Sequence, residues 1–301
     1  MKENTKISTR SAGGWVLQKV QDYKAVIKFR LTMTVVFSSV MAFLIASNGS
    51  IDWKNVLVLF IGGFLVTGAA NVFNQALEKD FDKLMVRTAN RPVAANRMSV
   101  LEAVIAGGIM SIVGIGFLAL FNPWTAILGM VALVSYAFIY TPLKRLSPVA
   151  IFVGAFPGAL PMLIGCTAAE GKLTLLGLSL FVLQFLWQFP HSWSIGYLGF
   201  EDYKKAGFKF MPETDGMLDR SAGMQSLIYS LFLIPVVLLP WFLGATGVVT
   251  AIVAVLLSLG FSYFAWTFYR KYTKKSALGL MFYSIAYIPL VLIFFYLDKL
   301  S

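Results

Sequence analysis

Charge is scarce in this chain. Only 13% of its 301 residues are charged, against roughly a quarter in soluble globular proteins. With 58% hydrophobic residues and a mean hydropathy of +0.76, that scarcity excludes an ordinary water-soluble domain. Cysteine occurs once, as Cys166 inside an apolar run, so no internal disulfide can form and packing is its expected role. Histidine is equally rare, with His191 standing alone. Long polar stretches are also missing. The longest outside the apolar runs are the N-terminal tail and the segments near 78–99 and 198–225, too short for a separate soluble domain. The first apolar run is not followed by a small-residue cleavage site, so a retained first helix is expected and no removed signal peptide. We therefore expect a flexible cytoplasmic segment over 1–22, frayed at 1–14, and one membrane-embedded domain over 23–301.

What the chain does have is apolar runs of about 20 residues, the length that spans roughly 30 Å of hydrocarbon. They fall near 31–48, 56–77, 100–120, 123–140, 149–169, 173–197, 226–243, 247–269 and 278–297. The expected fold class is all-α, a polytopic bundle of about nine transmembrane helices around a central cavity open to the cytoplasmic side. A net charge of +11 in a soluble protein would point to nucleic acid, but here the charges sort by loop. Of the 25 basic residues, all except Lys54, Lys172 and Lys299 fall in the N-terminal segment and the even-numbered loops. The positive-inside rule then puts the N-terminus in the cytoplasm and the C-terminus outside a cell (inner) membrane, with lipid and not nucleic acid as the surrounding partner.

The most informative stretch runs from Asn71 to Asp82, where an apolar run ends in amides and carboxylates. At 100° per residue, Thr67, Asn71, Asn74, Gln75, Glu78 and Asp82 share one helical stripe, and Asp80 points away. Acidic residues in a membrane are costly and usually face a cavity, a partner or an ion. Asn74, Glu78 and Asp82 offer hard oxygen ligands of the kind Mg²⁺ takes together with substrate phosphates. Beyond them Lys83, Arg87 and Arg91 offer cations for phosphate oxygens, Arg as a two-pronged fork. Such a set suits departure of a diphosphate from an allylic carbon, where charge growing on the leaving group must be neutralised in a dry site. The same cations also serve simply to set topology.

A second constellation lies in the sixth run, where Gln184, Gln188 and His191 make one polar helical face. A neutral imidazole there can contact a substrate, ligate haem iron, or satisfy a neighbouring helix. Close behind come Glu201 and Asp202, able to hold a second Mg²⁺ or to stand solvated. Lys144 and Arg145 after the fourth run, and Lys28 and Arg30 before the first helix, can reach phosphate or anchor the chain at headgroups.

At these positions the chain resembles the protohaem IX farnesyltransferase (haem O synthase) family of the UbiA-type intramembrane prenyltransferases. The resemblance rests on Asn74, Glu78 and Asp82 followed by Met85, Arg87, Thr88, Arg91 and Pro92; on Tyr140, Thr141, Leu143, Lys144 and Arg145; on Gly154, Gly158, Ala159, Pro161 and Gly165; on Trp187, Gln188, Pro190 and His191; and on Asp202, Tyr203, Ala206, Gly207, Met211 and Pro212. Glu78 stands where the family usually has Asp, and Phe29 where it favours Pro. The resemblance implies transfer of farnesyl from farnesyl diphosphate to a vinyl group of haem B, giving haem O. It implies catalytic roles for Asn74, Glu78, Asp82 and Arg87, and Mg²⁺ held by Asn74, Glu78, Asp82, Glu201 and Asp202. Substrate contacts then fall to Lys83, Arg91, Lys144, Arg145, Gln188, His191, Tyr203 and Arg30. Farnesyl diphosphate and haem B are the implied substrates, and haem A synthase or terminal oxidase assembly proteins the implied protein partners. By themselves the residues also admit a quinone precursor or chlorophyllide as acceptor, or a secondary transporter with ion-coupling acids.

Overall fold

The computed structural model describes residues 12–300. Its chain is helical almost throughout. In order come α1 (Ala12–Val26), α2 (Phe29–Ala46), α3 (Trp53–Leu77), the short α4 (Lys79–Asp82), α5 (Val100–Ala119) and α6 (Pro123–Val134). A π-helical turn at Ser135–Tyr140 joins α6 to α7 (Thr141–Leu143), followed by α8 (Ala150–Glu170), α9 (Leu175–Leu198) and α10 (Phe200–Lys205). A two-residue hairpin, β1 (Glu213–Thr214) with β2 (Met217–Leu218), precedes α11 (Ser221–Val236), α12 (Leu239–Phe242), α13 (Val248–Lys271) and α14 (Lys274–Leu297).

Local chemistry sets these boundaries. Asp52, Ser99, Asn122, Thr174 and Thr273 each accept a backbone N–H with the side chain and so begin α3, α5, α6, α9 and α14. Gly171 ends α8 at a φ of 74°, a left-handed cap open to glycine without strain. At the other end of the chain, Lys299 donates to the terminal carbonyls of α2 at Leu44 and Ser47, a cation placed where the helix dipole is negative.

Among the described residues, eight helical segments are long and apolar enough to cross a membrane, and the protein is a multi-pass membrane protein. Large side chains such as Leu101, Ile112 and Phe242 stand exposed on their outer faces, as lipid contact requires. The expected count was nine. The remaining run, 173–197, forms the 24-residue α9, long enough to span but made less apolar by Gln184, Gln188 and His191. It is nevertheless interior: α8, α11 and α14 pack along it, and none of its residues from Ser179 to Leu198 is exposed. Small residues let the bundle close. An added Cβ at Gly165 on α8 would lie 2.1 Å from the carbonyl oxygen of Ser39 on α2, so these two backbones touch directly.

Of the N-terminal segment expected over 1–22, residues 1–11 lie outside the described residues, with Lys2, Lys6 and Arg10 among them. Residues 12–22 are the first part of α1 and are tied down: Lys19 pairs with Glu102 at 2.8 Å and Asp22 with Arg97 at 2.9 Å. Gln75 on α3 donates to the carbonyls of Ala25 and Val26. The chain then turns at Lys28, whose φ of 49° is left-handed, and this turn aims the Lys28 side chain back toward α3.

Candidate active site

A cavity of ≈ 140 Å³ opens where the ends of α2, α3 and α7 meet the segment after α10. From α3 and α4 it receives Asn74, Glu78 and Asp82; from the following loop Met85, Arg87 and Arg91; from the π-helical turn Tyr136 and Tyr140. Lys28, Lys144, Tyr203, Phe208 and Phe210 complete the wall.

The carboxylate stripe is interrupted and still aligned. α3 ends at Leu77, yet the Asp82 N–H donates to the Glu78 carbonyl at 2.8 Å, so one residue in four keeps facing the same way. Each oxygen-bearing side chain of the comb meets a cation. Lys28 Nζ donates to Asn74 Oδ1 at 2.9 Å, Lys144 Nζ approaches Glu78 Oε1 at 2.5 Å, and Arg91 Nη1 donates to both Asp82 oxygens at 2.8 and 2.7 Å. Asn74 Nδ2 donates to Glu78 Oε2 at 2.9 Å and to Thr141 Oγ1 at 3.0 Å. Thr141 in turn donates to the carbonyl of Tyr136. The wider π-helical turn therefore orients the amide of Asn74, and places Tyr136 and Tyr140 on the cavity side together. Such turns recur at functional sites.

Burial governs the titrating groups here. It pushes the Asp82 carboxyl above its ordinary range, helped by the Glu78 charge and opposed by Arg91. The Lys28 ammonium is brought down to about 7, first by burial and then by the positive charges of Arg91 and Lys144. Lys28, Arg87, Arg91 and Lys144 together outnumber the two carboxylates, so the cavity attracts anions. A polyanion would find Lys28, Arg91 and Lys144 already partly withdrawn from solvent.

Oxygen donors for a hard metal are present. Among the described residues no three His, Cys, Asp or Glu side chains form a metal group. Mg²⁺, however, commonly takes one or two carboxylates and fills its shell with water and substrate phosphate. Glu78 Oε1 is fully buried and lacks an aligned hydrogen bond, its one close neighbour being the Lys144 ammonium. Glu78, Asp82 and Asn74 thus fit Mg²⁺.

Several expected contacts lie elsewhere. Lys83 pairs with Asp80 at 2.9 Å on the surface, Arg145 stacks its guanidinium 4.4 Å from the Phe81 ring centre, and Arg30 is exposed on the first turn of α2. Gln188 donates to the carbonyls of Ala155 and Gln184, which ties α9 to α8. His191 Nδ1 lies 2.7 Å from Ser284 Oγ on α14. Glu201 is exposed and Asp202 half-buried, and neither lines the cavity. What their segment contributes is Tyr203, whose hydroxyl accepts from Arg87 at 3.2 Å, and the rings of Phe208 and Phe210. Those two phenylalanines, and Tyr136, were not among the expected residues. The signal for the first pair was their alternation about Lys209, buried, exposed, buried, after the left-handed Gly207.

This membrane bundle sinks acids and cations together into one anion-attracting hollow. Residues 35–286 match the UbiA prenyltransferase family, and the chain belongs to that family. It is a prenyltransferase. It is 44% identical over 283 residues to the protoheme IX farnesyltransferase of Cytophaga hutchinsonii, an alignment covering 93% of this chain and 98% of that one. Among solved structures it is similar to a digeranylgeranylglyceryl phosphate synthase, with a TM-score of 0.78 at 19% identity, over 93% of this chain and 98% of that one. A UbiA homologue from Archaeoglobus fulgidus bound to DMAPP and Mg²⁺ superposes with a TM-score of 0.68 at 15% identity, covering 89% and 99% of the two chains.

Proposed function

We propose that this chain transfers the farnesyl group of farnesyl diphosphate to a vinyl carbon of protohaem IX, water adding to the neighbouring carbon, to give haem O and diphosphate. The observation that carries the reading is the likeness to the Cytophaga hutchinsonii farnesyltransferase across nearly the full length of both chains. The cavity supplies matching chemistry.

Arg87, Arg91, Lys144 and Lys28 hold the diphosphate oxygens, exchanging their present hydroxyl, carboxylate and amide partners for phosphate. Glu78, Asp82 and Asn74 would hold Mg²⁺, which when bound would supply positive charge to offset that of the departing diphosphate. Tyr136, Tyr140, Phe208 and Phe210 exclude bulk water, and their ring faces favour an allylic cation by about 0.5 to 2 kcal/mol each. At ≈ 140 Å³ the hollow fits the diphosphate head alone. Ligand pockets for whole drug-sized molecules run to roughly 300 to 1,000 Å³, so the farnesyl chain and the porphyrin extend beyond it into the bundle.

We further propose that α9 spans with the other eight segments, so that the N-terminus is cytoplasmic, the C-terminus outside, and the cavity open to the cytoplasmic face of the inner membrane. The sorting of basic residues supports this orientation.

The direct test offers the purified protein farnesyl diphosphate and Mg²⁺ with haem B, an aromatic acid precursor of a quinone, or chlorophyllide, and reads products by mass spectrometry. Haem O is the expected product. A prenylated aromatic acid or chlorophyllide without haem O would overturn the assignment of the acceptor.

A further inference from the structure

His191 and Ser284 form a unit that the diphosphate cavity leaves unused. Ser284, fully buried on α14, makes three close polar contacts. Its hydroxyl donates to the Met281 carbonyl at 2.6 Å, its carbonyl accepts the Trp187 indole N–H at 2.8 Å, and its Oγ lies 2.7 Å from His191 Nδ1. A hydroxyl has one proton. Because Ser284 commits that proton to Met281, the bond to His191 must run from Nδ1–H to Oγ. The imidazole is thereby held in the Nδ1–H tautomer, and Nε2 carries the free lone pair. Trp187 stacks on the ring, with centroids 4.7 Å apart and planes 17° apart, and fixes its orientation.

Nε2 has no hydrogen-bond partner among the described residues, and the His191 side chain is partly accessible. Trp187, Gln188, His191 and Ile195 are partly accessible on one helical face, while no residue of the helix from Ser179 onward is exposed. That face runs two turns toward α10, which carries Tyr203 of the diphosphate cavity.

We infer that His191 Nε2 ligates the iron of the acceptor porphyrin, and that Ser284 is the positioning residue that holds the imidazole in the ligating tautomer. A hydrogen bond from the second ring nitrogen is how metal-binding histidines are oriented, and its loss typically costs about 10- to 100-fold in metal affinity. This inference rests on haem as the acceptor and deepens that reading. Iron ligation would anchor the macrocycle by its centre, leaving a vinyl edge to meet the prenyl cation.

The test titrates the full-length protein with ferric haem, without farnesyl diphosphate, and follows the Soret and visible bands. Wild type is expected to show an imidazole-ligated spectrum. His191→Ala loses that spectrum, and added imidazole restores it, which also shows the variant to be folded. Ser284→Ala weakens haem binding by about 10-fold or more, whereas Ser284→Thr, which keeps the hydroxyl, binds as wild type does. An unchanged spectrum and affinity in His191→Ala, with a wild type that still makes haem O, overturns ligation and leaves the proposed function standing. A wild type that binds haem through His191 but makes no haem O overturns the function instead.

Discussion

Asp82→Asn is expected to lower haem O formation by about 10²- to 10³-fold, the loss typical when one charge-stabilising group is removed from a preorganised site. Asp82 is fully buried, and both of its oxygens take the same Arg91 nitrogen. Asparagine preserves its shape and one acceptor while removing the charge that a metal requires. Alanine is a poorer test, because stranding the Arg91 guanidinium in a buried site costs about 3 to 5 kcal/mol and mixes folding with chemistry. Glu78→Gln is expected to act in the same way through Lys144. A purely structural role for Asp82 makes a distinct prediction: the lost turnover would come with a lowered melting temperature. We expect turnover to fall while the melting temperature stays near that of wild type, measured as haem O by mass spectrometry beside a melting curve.

Gly165→Val is expected to abolish the recoverable folded protein, and Gly165→Ala to lower the thermal midpoint. The added Cβ would meet Ser39 O at 2.1 Å, Ala42 Cβ at 2.9 Å and Phe43 N at 2.9 Å. Two of these are backbone atoms of α2, which cannot rotate away. Overpacking of this kind costs about 1 to 3 kcal/mol for a methyl group, and more for a branched side chain in a rigid backbone contact. Gly108, whose added Cβ would meet nothing within 4 Å, is the control: alanine there should leave the midpoint within error. Equal melting of both alanine variants in detergent would refute the account of the α2–α8 contact.

The oxygen comb was legible in sequence because a helical repeat survives a break of one residue. α3 stops before Glu78, yet the bond between Asp82 N–H and the Glu78 carbonyl carries the register across. Which cation each acid meets was not legible. Arg91 folds back nine residues to Asp82, Lys144 arrives from another helix, and Lys28 depends on a left-handed turn that local sequence does not announce. Glu201 and Asp202 have the composition of ligands, but the short α10 turns Tyr203 inward instead, and Arg87 meets its hydroxyl. The polar face of α9 was readable from periodicity. Its division of labour was not, since Gln188 binds α8 while His191 binds Ser284, a residue 93 positions distant in the chain. The same polar face lowers the hydropathy of α9, so a helix enclosed by its neighbours is also the one least like a membrane span by composition.

The most direct test of the central claim is a structure of the protein with Mg²⁺ and a non-hydrolysable farnesyl diphosphate analogue. Mg²⁺ between Glu78 and Asp82, with Lys144 and Arg91 moved from those carboxylates onto the diphosphate, is the predicted result. A diphosphate bound away from Asp82, with the pairs Lys144–Glu78 and Arg91–Asp82 still closed, would contradict it.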